Sequence, residues 1–193
     1  MTEDAKPRAI RRARSKPKVP TEAITTTQTK SETAPKREEN KTLVVFTTKQ
    51  GASGDAANLI AETLRQQNSL EVDVVDLKKQ PHPDVSGYKN VVVGGGVRGG
   101  EVYKQTKDFM NQDFGGKRVA VFVCSSGAKN TESAKRLVER FITQGLANNT
   151  NLNVVGSEAF GGCIRILGKA IQDNRDPARI RAWAEELGKK FTQ

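Results

Sequence analysis

The chain has 193 residues and a formal net charge of +10, with 35% hydrophobic and 5% aromatic residues, two cysteines and one histidine. That length suits one domain with an appendage, and no stretch approaches the ~20 continuous apolar residues of a membrane span. Two cysteines cannot build a disulfide framework and a lone histidine argues against a His-rich metal site, so the basic balance points to an anionic partner such as nucleic acid or a membrane surface.

The charge is uneven. Residues 1–40 hold ten basic and six acidic residues, a net +4, and residues 41–193 carry the remaining +6. The first 40 residues contain four of the seven prolines and no Phe, Tyr, Trp, Leu or Cys. So few apolar side chains cannot offset the entropy of ordering, and residues 1–40 are expected to be a disordered basic tail. Its compact basic run, Pro7 to Lys18, lacks the apolar stretch of a secretory signal. A tether, a contact with an anionic surface and a targeting peptide all remain open for it.

Elements are expected from Lys41 onward. Leu43-Val44-Val45-Phe46 reads as a strand covered on both faces. Ala56, Ile60 and Leu64 recur at helical spacing after a glycine-bearing turn. Leu70 to Val75 alternates, as a second strand nearer an edge would, and Val91-Val92-Val93 is a third, buried strand. Val102, Thr106, Phe109 and Met110 mark a helix, and Val119 to Val123 a fourth strand. Leu137, Val138, Phe141, Ile142 and Leu146 stripe the next helix, and Leu152 to Val155 is the fifth strand. Asp176-Pro177 opens a last helix as cap and first-turn proline, with Ile180, Trp183, Ala184, Leu187 and Phe191 on its apolar face.

Alternating strands and helices imply a doubly wound parallel sheet in a single domain over residues 41–193. Ligands of such sheets sit beyond the carboxyl ends of the strands, where strand order reverses. The loop after the first strand, Thr47-Thr48-Lys49-Gln50-Gly51-Ala52-Ser53, offers hydroxyls and a glycine at a helix start. That composition suits a phosphate held by backbone N–H groups and the helix dipole. An ordinary turn with Ser53 as helix cap is the alternative. No Walker A pattern occurs, which disfavours nucleoside triphosphatases of that type.

Gly94-Gly95-Gly96-Val97-Arg98-Gly99 formally satisfies the dinucleotide pattern Gly-x-Gly-x-x-Gly, but it follows the third strand and the next strand ends in Cys124-Ser125 instead of an acid. The match is accidental. The glycine density still suggests a loop lying close against a flat ligand.

Several segments together resemble the flavodoxin-like family. Val44-Val45-Phe46-Thr47-Thr48-Lys49-Gln50-Gly51-Ala52-Ser53 resembles the FMN phosphate loop, a strand followed by Ser/Thr-x-Thr-Gly-x-Thr. Gly87-Tyr88-Lys89-Asn90-Val91-Val92-Val93-Gly94 is similar to the lead-in of the third strand. Gly96-Val97-Arg98-Gly99-Gly100 and Ala159-Phe160-Gly161-Gly162 look like segments of the menaquinone-dependent protoporphyrinogen oxidases of flavodoxin type.

The resemblance implies a five-stranded sheet in the order 2-1-3-4-5 with FMN at the switch point. Thr47, Thr48, Lys49, Gln50, Gly51, Ala52 and Ser53 would hold its phosphate. Gly94, Gly95, Gly96, Val97, Arg98, Gly99 and Tyr103 would wrap one side of the ring, and Cys124, Ser125, Ser126 and Gly127 would approach the other. Tyr103 either stacks on the flavin or packs on the following helix. Arg98 near the flavin N1/C2 edge would raise the potential, and the alternative is a solvent-facing arginine.

The implied function is FMN-dependent electron transfer, either as a carrier or as a protoporphyrinogen dehydrogenase with a quinone acceptor. That subgroup also carries a long insertion near the last strand, of which Gly161 to Arg175 would be a shortened version. A redox partner protein or quinone is then the expected partner, with possible peripheral contact at an anionic membrane surface, a cytoplasmic location and no nucleic acid. Two readings of a different class are a Cys124–His82 hydrolase dyad and a non-enzymatic binding module. A redox-linked Cys124–Cys163 pair competes with two reduced bystander thiols.

Overall fold

The computed structural model describes residues 41–128, 130–146 and 152–193. The expected tail lies outside the described residues. The chain runs β1 (Lys41–Thr47), α1 (Ala52–Asn68), β2 (Glu71–Asp76), β3 (Asn90–Arg98), β4 (Glu101–Val102), α2 (Lys104–Met110), β5 (Arg118–Ser125), α3 (Thr131–Leu146), β6 (Asn153–Gly161), β7 (Cys163–Ile166), β8 (Lys169–Asp173) and α4 (Pro177–Thr192).

Five strands pair in parallel in the order β2-β1-β3-β5-β6, which is the expected order reversal about β1 and β3. Side chains alternate across a strand, and in this sheet both faces are covered. Val44, Val92, Ala120 and Phe122 pack on one side with Ile60 and Leu64 of α1 and Ile180, Leu187 and Phe191 of α4. Leu43, Val45, Val91, Val93, Val121 and Val123 pack on the other with Phe109 and Met110 of α2 and Phe141 of α3. The unbroken apolar runs of β1, β3 and β5 follow from this double covering.

The structure differs from the sequence reading in four places, the first being the fifth strand, which runs over Asn153–Gly161 instead of Leu152 to Val155. Gly94, Gly95 and Gly96 belong to β3, which runs on to Arg98 instead of ending at Val93. Val102 lies in β4, a short antiparallel partner of β3, and the helix begins only at Lys104. The Gly161 to Arg175 segment, expected as a loop, holds a β7–β8 hairpin that forms its own two-stranded sheet. The last helix starts as expected: the Asp176 carboxylate accepts from the Arg179 amide at 3.1 Å, and Pro177 follows the cap.

Candidate functional site

The carboxyl ends of β1, β3 and β5 open onto a cleft of about 300 Å³, closed on one side by the start of β7. It is lined by Thr48, Lys49, Gln50, Ala52 and Ser53, by Gly96, Val97, Arg98, Gly99 and Tyr103, by Cys124, Ser125 and Ser126, and by Gly162, Cys163 and Ile164. The structure thus brings together most residues of the three loops singled out in the sequence.

The first loop is built to leave backbone donors open. Thr48 Oγ1 accepts from the Gly51 amide at 2.9 Å, and Gly51 turns the chain at φ 95°. Gly51, and not Ser53, is the N-cap of α1, and no side chain caps that end. The first-turn N–H groups of a helix have no intrahelical partner, so this end is short of acceptors. Thr47 is 1% exposed, and its Oγ1 is buried without a partner among the described residues. Lys78 Nζ donates to the Thr48 carbonyl at 3.3 Å, tying the loop to the end of β2. Ser53 is buried in the first turn, and both it and Cys124 line the cleft.

The glycine-rich stretch has three separate jobs. A Cβ on Gly94 would stand 1.9 Å from the Phe122 ring, and one on Gly95 would meet Thr106 Oγ1 at 2.9 Å. Both glycines are filled by core side chains and neither lines the cleft, contrary to their expected place against a ring. Gly96 carries the ring of Tyr103, which a Cβ there would meet at 2.6 Å. Gly99 and Gly100, at φ 60° and 79°, make the tight turn from β3 into β4.

The Tyr103 ring therefore lies against Gly96 of β3, half-buried at the cap of α2, with Lys49 Nζ 4.8 Å from its centroid. Burial raises its hydroxyl above the ordinary pKa, and the Arg98 charge opposes that. Lys49 and Arg98 are exposed and in no ion pair among the described residues.

On the opposite wall, Ser125 Oγ accepts from the Gly127 amide at 3.1 Å, and the Ser125 carbonyl accepts from the Gly162 amide at 2.9 Å. Gly127, Thr47 and Gly51 shape these loops without lining the cleft. Ile164 and the neighbouring Arg165 are not among the expected site residues, and Gly162 stood out only through the Ala159-Phe160-Gly161-Gly162 resemblance. Arg165 Nη1 is 4.0 Å from where a Cβ on Gly51 would stand, so β7 runs beside the first loop. Arg175 crosses beneath it, paired with Asp55 at 2.5 Å and with Asp173. The signal for this hairpin was weak because Leu167-Gly168 stands where a two-residue turn ordinarily shows Asn-Gly.

The two cysteines are free and buried. Burial pushes the Cys124 thiol up to about 12, the Ser53 hydroxyl only partly opposing it. A nucleophilic cysteine needs the reverse shift. His82 follows β2 at the sheet edge, with β1 and β3 between that strand and β5, which carries Cys124. The structure does not assemble the hydrolase dyad. Among the described residues no cluster of His, Cys, Asp and Glu suits a metal ion, and no helix is long and apolar enough to cross a membrane.

Comparison with known proteins follows the same lines. Oxidised flavodoxin 2 of Bacillus cereus superposes with a TM-score of 0.55 at 19% identity, over 79% of this chain and 97% of that one. Flavodoxin 1 of the same organism gives 0.54 at 18% identity, again over 79% and 97%. Rubredoxin oxygen:oxidoreductase of Desulfovibrio gigas gives 0.50 at 14% identity, over 79% of this chain but 36% of that one. No curated protein sequence matches the chain. The sequence profile of the flavodoxin domain matches residues 43–166, most of the described fold and all four segments that line the cleft, and the chain belongs to that family.

Proposed function

We propose that the cleft holds FMN with its phosphate on the Thr47–Ser53 loop and that the protein passes electrons between the flavin and a separate redox partner. FMN is the cofactor of the family to which the chain belongs. The α1 terminus that no side chain caps, reaching the cleft through Ala52 and Ser53, carries the reading, and the buried, unpartnered hydroxyl of Thr47 stands at the root of the same loop. A phosphate supplies the acceptor that this cluster of donors lacks.

The bound flavin supplies the electron-accepting and electron-donating chemistry. The chain's own residues position it and set its potential. Thr48 and Ser53 flank the phosphate site, and Tyr103 offers a flat face whose alignment Gly96 permits. Arg98 at the rim places a positive charge beside that face and favours negative charge on the ring. Cys124, held neutral by burial, adds an apolar wall.

The test is cofactor recovery and affinity. The purified protein is expected to be yellow and to release FMN on denaturation. Thr47→Val, which keeps the shape and removes the hydroxyl, weakens FMN binding about tenfold and leaves riboflavin binding unchanged. Equal losses for both ligands would move the phosphate elsewhere, and a chain that binds neither would end the flavin reading.

A second, finer reading is oxidation of protoporphyrinogen with a quinone as acceptor. Lys49 and Arg98 line the cleft and Arg165 stands beside its first loop, all three outside any ion pair among the described residues, and they suit the carboxylates of such a substrate. A lipid-soluble acceptor would bring the protein to an anionic membrane surface from the cytoplasmic side, as a peripheral visitor. Anaerobic turnover of the FMN-loaded protein with protoporphyrinogen and a menaquinone analogue separates the two readings: turnover only with a plain one-electron acceptor leaves the carrier.

A further inference from the structure

The β7–β8 hairpin is where large apolar side chains stand in solvent among the described residues: Ile166 is 57% exposed, Leu167 97% and Ile171 61%. One exposed leucine needs no explanation, but three such side chains on a single hairpin form a patch. The hairpin pairs only with itself, so its tip covers no sheet or helix of the domain. Its turn residues, Leu167 at φ 49° and Gly168 at φ 80°, both take the left-handed conformation. A bulky leucine is disfavoured there, and asparagine or glycine would suit the turn better. The most exposed position of the hairpin thus carries an apolar side chain against the local preference.

Charge accompanies the patch. Arg165 and Lys169 flank the tip, and neither joins an ion pair among the described residues. Asp173, the one acid of the hairpin, is already held by Arg175. The base is fixed: Cys163 is buried, Ile164 lines the cleft, and the Asn174 amide donates to the Gly162 carbonyl at 3.0 Å.

We propose that this hairpin is a bilayer-docking tip, in which Ile166, Leu167 and Ile171 enter the interfacial region of an anionic membrane while Lys169, next to the turn, meets lipid phosphates. A protein partner would need a pocket shaped to a protruding tip. Acyl chains accept any apolar shape, and an apolar wedge flanked by cations is what an anionic lipid surface binds. Because Ile164 lies on the same strand, docking brings the mouth of the cleft to the bilayer. The inference rests on the membrane contact raised above and not on the flavin.

Full-length protein is sedimented with vesicles of phosphatidylcholine alone or with about 30% phosphatidylglycerol. Wild type is expected to partition onto the anionic vesicles at least about tenfold better than Ile166→Ser/Leu167→Ser/Ile171→Ser, and little onto the neutral ones. Flavin-independent circular dichroism checks the fold of the triple variant. Leu167→Asn, which suits the turn, guards against misfolding and should still lose about threefold. Since Cys124 and Cys163 are buried, Leu167→Cys takes a polarity-sensitive label selectively. Its emission should shift blue on anionic vesicles and be quenched by brominated lipid. Equal partitioning of all variants without a blue shift assigns the contact to another part of the chain, which overturns the hairpin and keeps the membrane contact. No partitioning of wild type overturns both. Hairpin variants that lose only exchange with an acidic protein acceptor make the tip a protein dock and overturn the proposal.

Discussion

At Gly94 a single hydrogen decides whether β3 and β5 can lie side by side. The Phe122 ring is fully buried and fills the space in which a Cβ would stand, 1.9 Å from its Cζ. Both strands are central, so neither backbone can retreat. Gly94→Ala should destabilise the domain by about 1–3 kcal/mol, the usual range for overpacking. Phe122→Leu in the same chain should restore part of that loss, read as non-additivity in a thermal double-mutant cycle. Additive losses would mean that the strain lies elsewhere. Cys124 acts through charge. Its thiol is pushed from an ordinary 9.0 up to about 12, so between these values the unfolded chain has released a proton that the folded chain keeps. The stability it contributes is whole below pH about 9 and falls as pH rises toward 12, by about 1.4 kcal/mol per unit. Tyr88, raised to about 12 by burial and by its bond to Asp73, has the same sign and begins above pH 10. Cys124→Ser keeps a hydroxyl beside Ser53 and removes the thiol's titration, so denaturant melts of this variant should decline less between pH 9 and 10 than those of wild type. Parallel curves would contradict a buried, protonated thiol.

Elements with one strong periodic signal were readable from the amino acids. β1, β3 and β5 announce themselves because strands buried on both faces need apolar residues at every position. α4 does so because Asp176-Pro177 is both cap and first turn. Glycine was harder, since its absence of a side chain is equally useful for approaching a ligand, for admitting a neighbouring ring and for turning. Only the packing shows that Phe122 and Thr106 fill Gly94 and Gly95, that Tyr103 covers Gly96, and that Gly99 and Gly100 turn the chain into β4. The β7–β8 hairpin hid for the opposite reason. Its strands are too exposed for a core pattern and its turn carries Leu167, so neither the periodicity nor the turn chemistry of a hairpin was present. The same departures leave the hairpin free to serve something other than the fold. At the cleft, the walls after β1, β3 and β5 could be read from their loops, apart from Gly94 and Gly95. The wall supplied by Gly162 to Ile164 depends on a non-local crossing of β7 over the first loop, which spacing alone does not encode.

The charge of the whole molecule acquires a direction once its acids are paired. Asp55 and Asp173 are taken by Arg175, Glu101 by Lys107 and Arg140, and Glu158 by Arg179. Lys49, Arg98 and Arg165 then remain around the cleft without such partners among the described residues, on a chain whose formal net charge is +10. A like-signed rim around a cleft steers oppositely charged molecules toward it. The effect is long-ranged only at low salt, because the screening length falls from about 30 Å at 0.01 M to about 10 Å at 0.1 M. Electron exchange of the FMN-loaded protein with an anionic acceptor such as ferricyanide should therefore slow by about tenfold as ionic strength rises from 0.01 to 0.5 M, whereas a cationic ruthenium hexaammine should speed up. Lys49→Ala/Arg98→Ala should flatten both slopes. A rate that ignores salt with both acceptors would mean that the charge serves solubility and that these cations do not steer partners to the cleft. Opposite slopes that survive the double variant would instead assign the steering to charge elsewhere on the chain, including the +4 of residues 1–40.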